Sequence, residues 1–414
     1  MKPLRVATIG MGGFAVSHHN VIHQLEAAGE CQLICTCDPN PAAFAQRMLD
    51  LDFTGRGVRF YDHYLAMLDE CTGGLDLVTI PTPVPLHAEM HRACVERGLA
   101  VYLEKPPTLD WRELEEMLVV EQRASRLTNV GFNYIDDPIR QELKGRILAG
   151  EFGAIRKIGL KGIWPRPISY YRRAPWAGRL MMDERLILDS CMGNALAHHV
   201  HDALFWAGTG GLFSWAEVRS VNAELYRAHE IEGVDTVFAS AVLQGGAVLE
   251  IALTHACDGV QMQQEWVVCE KATVHYAMGE EIRILWKDGR VEWSVAENNV
   301  WLNDTLPAYF AYVRGLRDRP TTRLEDCRPF VYLCDLVYVA AGKIATVPET
   351  YLERSRTPDG TSENVAIRDI RPIVDQFFAT GAFPSAQGVP WGSPGGYAGS
   401  EDLPVLPEVV RRMV

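Results

Sequence analysis

The run Arg5-Val6-Ala7-Thr8-Ile9 passes through Gly10-Met11-Gly12-Gly13-Phe14-Ala15 into Val16 to Ala28, with apolar residues at 21, 22 and 25. Strand, glycine turn and helix in that order constrain the fold more than any other stretch, because they open a dinucleotide-binding sheet. Gly10 permits the tight turn, and Gly12 lets the backbone approach a pyrophosphate, with Gly13 and Phe14 completing the loop. Ala15 stands where a third small residue packs helix against strand. The phosphates would then meet the positive end of the helix. A second apolar run, Cys31 to Cys37, ends in Asp38, an acid placed to accept hydrogen bonds from ribose hydroxyls. Pro39-Asn40-Pro41 follows with no arginine to hold a 2′-phosphate, so NAD is expected over NADP. Asp38 could instead open an Asx turn with Pro39.

Helices and strands continue to alternate. Helices are expected over about 41–49, 63–69 and 87–98, and strands at 58–61, 75–80 and 101–103. That alternation predicts an α/β fold with a parallel, doubly wound Rossmann sheet. Val101-Tyr102-Leu103 ends in Glu104-Lys105-Pro106-Pro107, where two prolines force the chain out of the sheet. Lys105 therefore sits at the carboxyl end of a strand, where open α/β sheets bind ligands. Read alone, it is a surface lysine beside a turn.

After a last strand at 127–133 and a helix at 138–150, the pattern becomes a series of alternating strands between about 155 and 294. Gly245-Gly246 and Lys287 to Arg290 read as hairpin turns. This predicts an α+β domain on a large, mostly antiparallel open sheet, one face under helices and the other free to meet a partner. The expected organisation is a dinucleotide-binding domain at 1–130, a substrate-binding and oligomerisation domain at 131–345, and a C-terminal extension at 346–414 packing on both. The extension contains a Gly-, Pro- and Ser-rich stretch at 381–399, read as an ordered loop or arm, and a short terminal helix.

A net charge of −13 over 414 residues disfavours nucleic acid and anionic membranes as partners. No apolar run approaches the roughly 18 residues of a membrane helix, and the amino terminus has too short an apolar core for a signal peptide. The ten cysteines show no Cys-x-x-Cys or paired spacing, which points to buried thiols in a reducing cytoplasm and to no metal framework.

Taken in order, several stretches resemble the glucose-fructose oxidoreductase / inositol dehydrogenase / MocA (Gfo/Idh/MocA) family of NAD(P)-dependent sugar oxidoreductases. They are the glycine turn followed by His18 and His19, Asp38, Ile80-Pro81-Thr82-Pro83 with His87, Tyr102 to Pro106, and Gly131-Phe132-Asn133-Tyr134. The resemblance implies that Pro81, Thr82, His87, Glu104 and Lys105 surround the dinucleotide, and that Lys105 is catalytic or orients substrate. It also implies a Lys105–Pro106 bond that is cis, and subunit contact through the open face of the antiparallel sheet. In Leu188 to Trp206 the family carries Asp-x-x-x-His on a helix, and the alignment puts the histidine at His198 and Asn194 where the acid usually stands. Asparagine can hydrogen-bond the imidazole but does not favour its cation, so His198 is expected to be a weaker base. His201 or Asp202 could act in its place.

Asn133 and Tyr134, with Trp176 and Arg179 in the aromatic and basic loop Tyr170 to Arg179, are candidate substrate contacts beside Asn194 and His198. His198, His201 and Asp202 could also hold a metal, or serve only structure; no fourth ligand is signalled, and none is expected. The expected function is hydride transfer between NAD and a secondary alcohol carbon of a sugar, cyclitol or derivative. Two alternatives remain open: redox-neutral glycoside cleavage by transient oxidation and elimination, and a non-catalytic dinucleotide-binding sensor.

Overall fold

In the computed structural model, residues 2–277, 281–295 and 301–414 are described. Met1, where the amino-terminal reading begins, lies outside them, as do 278–280 and 296–300 within the stretch assigned to the second domain. The chain divides into two compact units: Met1–Thr108, Arg112–Asp136 and Val300–Cys327 form one, and Leu109–Trp111, Asp137–Asn299 and Arg328–Val414 the other.

The first unit is built on β1 (Leu4–Ile9), β2 (Cys31–Cys37), β3 (Arg59–Tyr61), β4 (Leu77–Ile80), β5 (Ala100–Leu103) and β6 (Asn129–Val130). All pairs are parallel, in the order β3-β2-β1-β4-β5-β6, the doubly wound sheet expected from the alternation. Its strands are apolar on both faces because helices cover both. Helix Leu302–Val313 returns late in the chain to this core, burying Leu302, Leu306, Tyr309 and Phe310 against Val6, Leu77 and Tyr102. Tyr309 locks that return: its hydroxyl accepts from Val101 N and donates to Leu127 O.

The second unit opens with helix Pro138–Leu148, capped by the Asp137 carboxylate on Ile139 N. A sheet of ten strands follows. It comprises β7 (Ile155–Ile163), β10 (Val218–Arg227), β11 (Thr236–Leu243), β12 (Val248–Thr254), β13 (Met262–Cys269), β14 (Ala272–Tyr276), β15 (Glu281–Trp286), β16 (Val291–Val295), β17 (Ile344–Thr346) and β20 (Tyr397–Gly399). The small pairs β8 (Met181–Met182) with β9 (Arg185–Leu186), and β18 (Leu352–Arg356) with β19 (Glu363–Ile367), stand apart. The order β16-β15-β14-β13-β7-β12-β11-β10-β17, with β20 on β10, is mostly antiparallel; β7 with β12 and β10 with β17 are the parallel pairs. One face lies under helices Ala197–Ala207 and Arg328–Ala341.

The other face departs from expectation. It is not left open over β7, β12, β11 and β10. Ile370, Val374 and Phe377 recur at helical spacing along helix Ile370–Thr380 and pack on Ile163, Phe238 and Ala252, while Trp391 stands edge-on to Tyr226 at 4.9 Å. The Gly- and Pro-rich stretch is thus part of this core, and its end forms β20. Gly159 on the same face admits the Trp266 ring; a Cβ there would lie 2.1 Å from it. Farther along this face, among the described residues, β15 and β16 expose Leu285, Val291, Trp293 and Val295.

Each unit also buries a neutral histidine. Burial lowers His91 to about 4 and His255 to about 3, from an ordinary 6.5. The unfolded chain takes up those protons first, so stability present above pH 6.5 is lost as pH falls. The unfolding free energy from urea titration should decline steadily between pH 6.5 and about 4, by a few kcal/mol in all, and the midpoint with it. A flat midpoint across that interval would contradict the buried neutral rings.

Candidate active site

At the carboxyl ends of β1, β4 and β5 three turns meet in the first unit. Gly10 has φ +105°, a backbone that excludes most side chains, and its N–H donates to Cys37 O. His19, fully buried, contacts Gly10 O through Nε2 at 3.0 Å and holds the turn from behind. Beyond it, the N–H groups of Gly12, Gly13 and Phe14 have no hydrogen-bond partner among the described residues. Helix Ala15–Ala27 follows with no side-chain cap and no acid in its first turn. Three unpaired donors at an uncapped helix start form the cradle a pyrophosphate needs. Ala15 packs on Gly10, 3.7 Å from the position of its Cβ, as does Thr82 at 3.6 Å.

Asp38 is held in place twice, accepting from Met11 N at 3.1 Å and from Asn40 N at 3.0 Å. The Asx turn read as an alternative therefore forms, and the same carboxylate is tied to the glycine turn. The Pro81-Thr82-Pro83 loop and the Lys105 turn are joined by His87. Its Nδ1 lies 2.9 Å from Pro106 O and its Nε2 2.8 Å from Thr82 O, in full burial that lowers its pKa. His87 is thus a strut between two loops. The Lys105–Pro106 peptide is cis.

Glu104 fixes Lys105 from the opposite side. One carboxylate oxygen is 2.9 Å from His18 Nε2 on the cofactor helix, and the other accepts the Lys105 N–H at 3.2 Å. Both side chains are buried, and Gly131 leaves room beside them, since a Cβ there would crowd the carboxylate at 3.0 Å. Asn133 is also committed: its Oδ1 accepts from the Tyr102 hydroxyl at 3.0 Å and from Thr305 at 3.2 Å. Tyr134 follows in a 3₁₀ turn over Asn133–Asp136 and is half-buried.

In the second unit the helix carrying the histidines begins later than its sequence suggests. Cys191–Ala195 is a π-helical turn, and the α-helix runs over Ala197–Ala207, so Asn194 and His198 lie on different elements. His198 and Asn194 are both partly exposed. His201 and Asp202 are fully buried, which sets them apart as core residues. His201 lies against the rings of Trp215 and Phe330, and Asp202 pairs with Arg140 at 3.2 Å.

Asn194 has an acid behind it that sequence did not single out. Its Nδ2 donates to Asp189 Oδ1 at 2.8 Å, while Asp189 Oδ2 accepts Gly178 N at 2.7 Å. The amide is therefore oriented by a carboxylate one hydrogen bond away. In the Tyr170 to Arg179 loop, the Arg173 guanidinium lies over Tyr170 at 3.8 Å and Trp176 at 4.8 Å. Arg179 pairs with Glu232. Both aromatic faces read as sugar platforms thus carry a guanidinium.

His199, Asp202 and Glu265 come within 4.8 Å of one another in the geometry of a metal set, but a cation is already among them. Arg140 reaches Glu265 at 2.7 Å and stacks over Tyr276 at 4.3 Å. Burial pushes both carboxyls up; for Glu265, Arg140 and His199 outweigh it and leave the group below its usual range, whereas Asp202 stays well above. The cluster is two buried carboxyls set around Arg140, which supplies its positive charge.

Comparisons accord with this geometry. Residues 4–132 match the oxidoreductase family with an NAD-binding Rossmann fold. That match, to the Gfo/Idh/MocA family, covers the dinucleotide-binding sheet and less than half of the chain. Among curated Gfo/Idh/MocA relatives, scyllo-inositol 2-dehydrogenase (NAD(+)) of Bacillus subtilis is 29% identical over 153 residues, 36% of this chain and 42% of that protein. Inositol 2-dehydrogenase of Streptomyces avermitilis is 26% identical over 275 residues, 66% of this chain and 71% of its own length. The match spans less than half the length of the Bacillus relative. The WlbA dehydrogenase of Bordetella pertussis, solved with NADH and UDP-GlcNAcA, superposes with a TM-score of 0.65 at 23% identity. That superposition covers 81% of this chain and 96% of the WlbA chain, showing that the Gfo/Idh/MocA two-domain fold is shared.

If Glu104 holds the Lys105 turn, Glu104→Ala should speed hydrogen exchange of the Lys105 amide at least tenfold, about 1.4 kcal/mol of lost protection. Unchanged exchange at that amide would show that the turn stands without the carboxylate.

Proposed function

We propose that the protein oxidises or reduces a secondary alcohol carbon of a sugar, cyclitol or sugar derivative with NAD. The observation that carries this reading is the unpaired N–H cradle of Gly12, Gly13 and Phe14, joined through His18 and Glu104 to the Lys105 turn. A dinucleotide seat bonded to a lysine at a strand end suits dehydrogenation better than sensing, since a sensor needs no such amine. The family match and dehydrogenase relatives support the same class of reaction.

NAD, when bound, supplies the two-electron acceptor. In the oxidation direction the carbinol carbon gives up its hydride, His198 accepts the hydroxyl proton, and Lys105 stabilises charge developing on that oxygen. Asn194, oriented by Asp189, holds a neighbouring hydroxyl, with Tyr134 and Arg179 as further contacts. NAD is preferred to NADP because the Asp38 carboxylate is fixed where a 2′-phosphate would be repelled.

Lys105→Ala should lower turnover at least a thousandfold while changing NAD affinity less than threefold, as the amine acts on the substrate oxygen. Turnover within tenfold of wild type would remove Lys105 from the mechanism. Stopped-assay rates and NAD titration by fluorescence give both numbers.

The same reading puts a homo-oligomer contact on the exposed apolar residues of β15 and β16. Leu285 and Val291 are paired residues there, beside Trp293, which is 66% exposed with Arg283 over its ring. Trp293→Glu should shift the mass measured by light scattering to that of a single chain. An unchanged oligomer would move the contact to another surface.

A further inference from the structure

A cavity of about 890 Å³ lies wholly within the second unit, in the upper part of the size range of small-molecule sites. Three segments wall it: the loop from Ile168 to Arg179, the β10–β11 connection at 227–232, and C-terminal residues 346–354 with Val365.

The charges on its walls are unequally matched. Arg179 pairs with Glu232, and Arg354 with Glu349 and Glu363. Arg172 and Arg227 have no carboxylate within ion-pair distance among the described residues, against one lining acid in the same position, Glu230. Arg227 is also preorganised. Its Nε donates to Thr346 Oγ1 at 3.1 Å and its Nη1 to the carbonyls of Glu232 and Ile231 at 2.8 and 3.3 Å, leaving Nη2 unbonded among the described residues. A guanidinium fixed with donors to spare is suited to a carboxylate or phosphate.

The Tyr171 ring also lines the cavity, its hydroxyl turned into the protein and without a hydrogen-bond partner among the described residues. The ring is held 4.8 Å from His229, itself fixed by Asp235 at 2.8 Å and Arg166 O at 3.0 Å. Ile168 and Leu352 add apolar surface on which the C–H face of a sugar ring can rest.

We infer that this cavity binds a polyol bearing one anionic group, a sugar acid or a sugar phosphate, with Arg172 and Arg227 on the anion and the ring resting on Ile168 and Leu352. The C-terminal residues 346–365 complete the site. Its wall is tied to the candidate catalytic segment, because Gly178 N and Arg179 O bond Asp189, which orients Asn194. The site shares Arg179 with the hydride-transfer reading but not Lys105, so it can hold where that reading fails.

Calorimetric titration of the full chain with D-glucuronate, D-glucose 6-phosphate and D-glucose tests this. At least one of the two anions should bind, and glucose at least tenfold more weakly; which anion binds distinguishes carboxylate from phosphate. Arg172→Ala, at an exposed position that leaves the core intact, should weaken the anion at least tenfold. Leu352→Trp, which fills the cavity, should abolish binding. Binding should persist in Lys105→Ala, which separates this site from the reacting carbon. Failure of both anions, glucose binding as well as they do, wild-type affinity in Arg172→Ala, or loss of binding in Lys105→Ala would each overturn the inference.

Discussion

A buried carboxylate holds the first unit's chemistry together. Glu104 accepts from the Lys105 backbone with one oxygen and faces His18 with the other, so the helix that starts at the phosphate cradle and the turn that presents the amine are linked through one side chain. Burying a carboxylate is costly unless its oxygens are bonded, and here both are. The absence of a side chain at Gly131 is what makes room for it. His87 performs the corresponding task between the Thr82 and Pro106 carbonyls. Lys105 is therefore placed by residues that are themselves locked, which is how a catalytic group keeps its geometry.

The second unit solves a similar problem with more charge. Helix Ala197–Ala207, which carries His198, is pinned from below by Arg140 with Asp202 and Glu265, and at its end by Lys144, whose ammonium donates to the carbonyls of Phe205 and Gly208. Such buried pairs add little net stability over an apolar core, but removing one partner strands the other. Their effect is to fix which side of the helix faces the core. Asp202 and His201 turn inward, and His198 and Asn194 are the ones that reach solvent.

What could be read from the sequence was local. The glycine turn, Asp38 and the Glu-Lys-Pro element each lie within a few residues of chain, and their backbone demands are written in Gly and Pro. The register of distant partners was not legible: Arg140 meets Glu265 across 125 residues, and Tyr102 meets Thr305 across 203. Asn194 was read on one helix with His198 because a π-helical turn has no compositional mark, and this hid Asp189 as its partner. The sheet face expected to be open is covered by helix Ile370–Thr380. Ile370, Val374 and Phe377 at helical spacing were the available signal, overshadowed by the glycines and prolines that follow. The cavity could not be anticipated, since its walls come from three segments nearly 200 residues apart at their extremes.

The most direct test of the account is to follow NADH formation by the purified protein across a panel of monosaccharides, sugar acids, cyclitols and glycosides. Hydride transfer predicts stoichiometric NADH and a ketone product with at least one polyol. Release of an aglycone with no accumulation of NADH, or tight NAD binding with no turnover of any member of the panel, would contradict it.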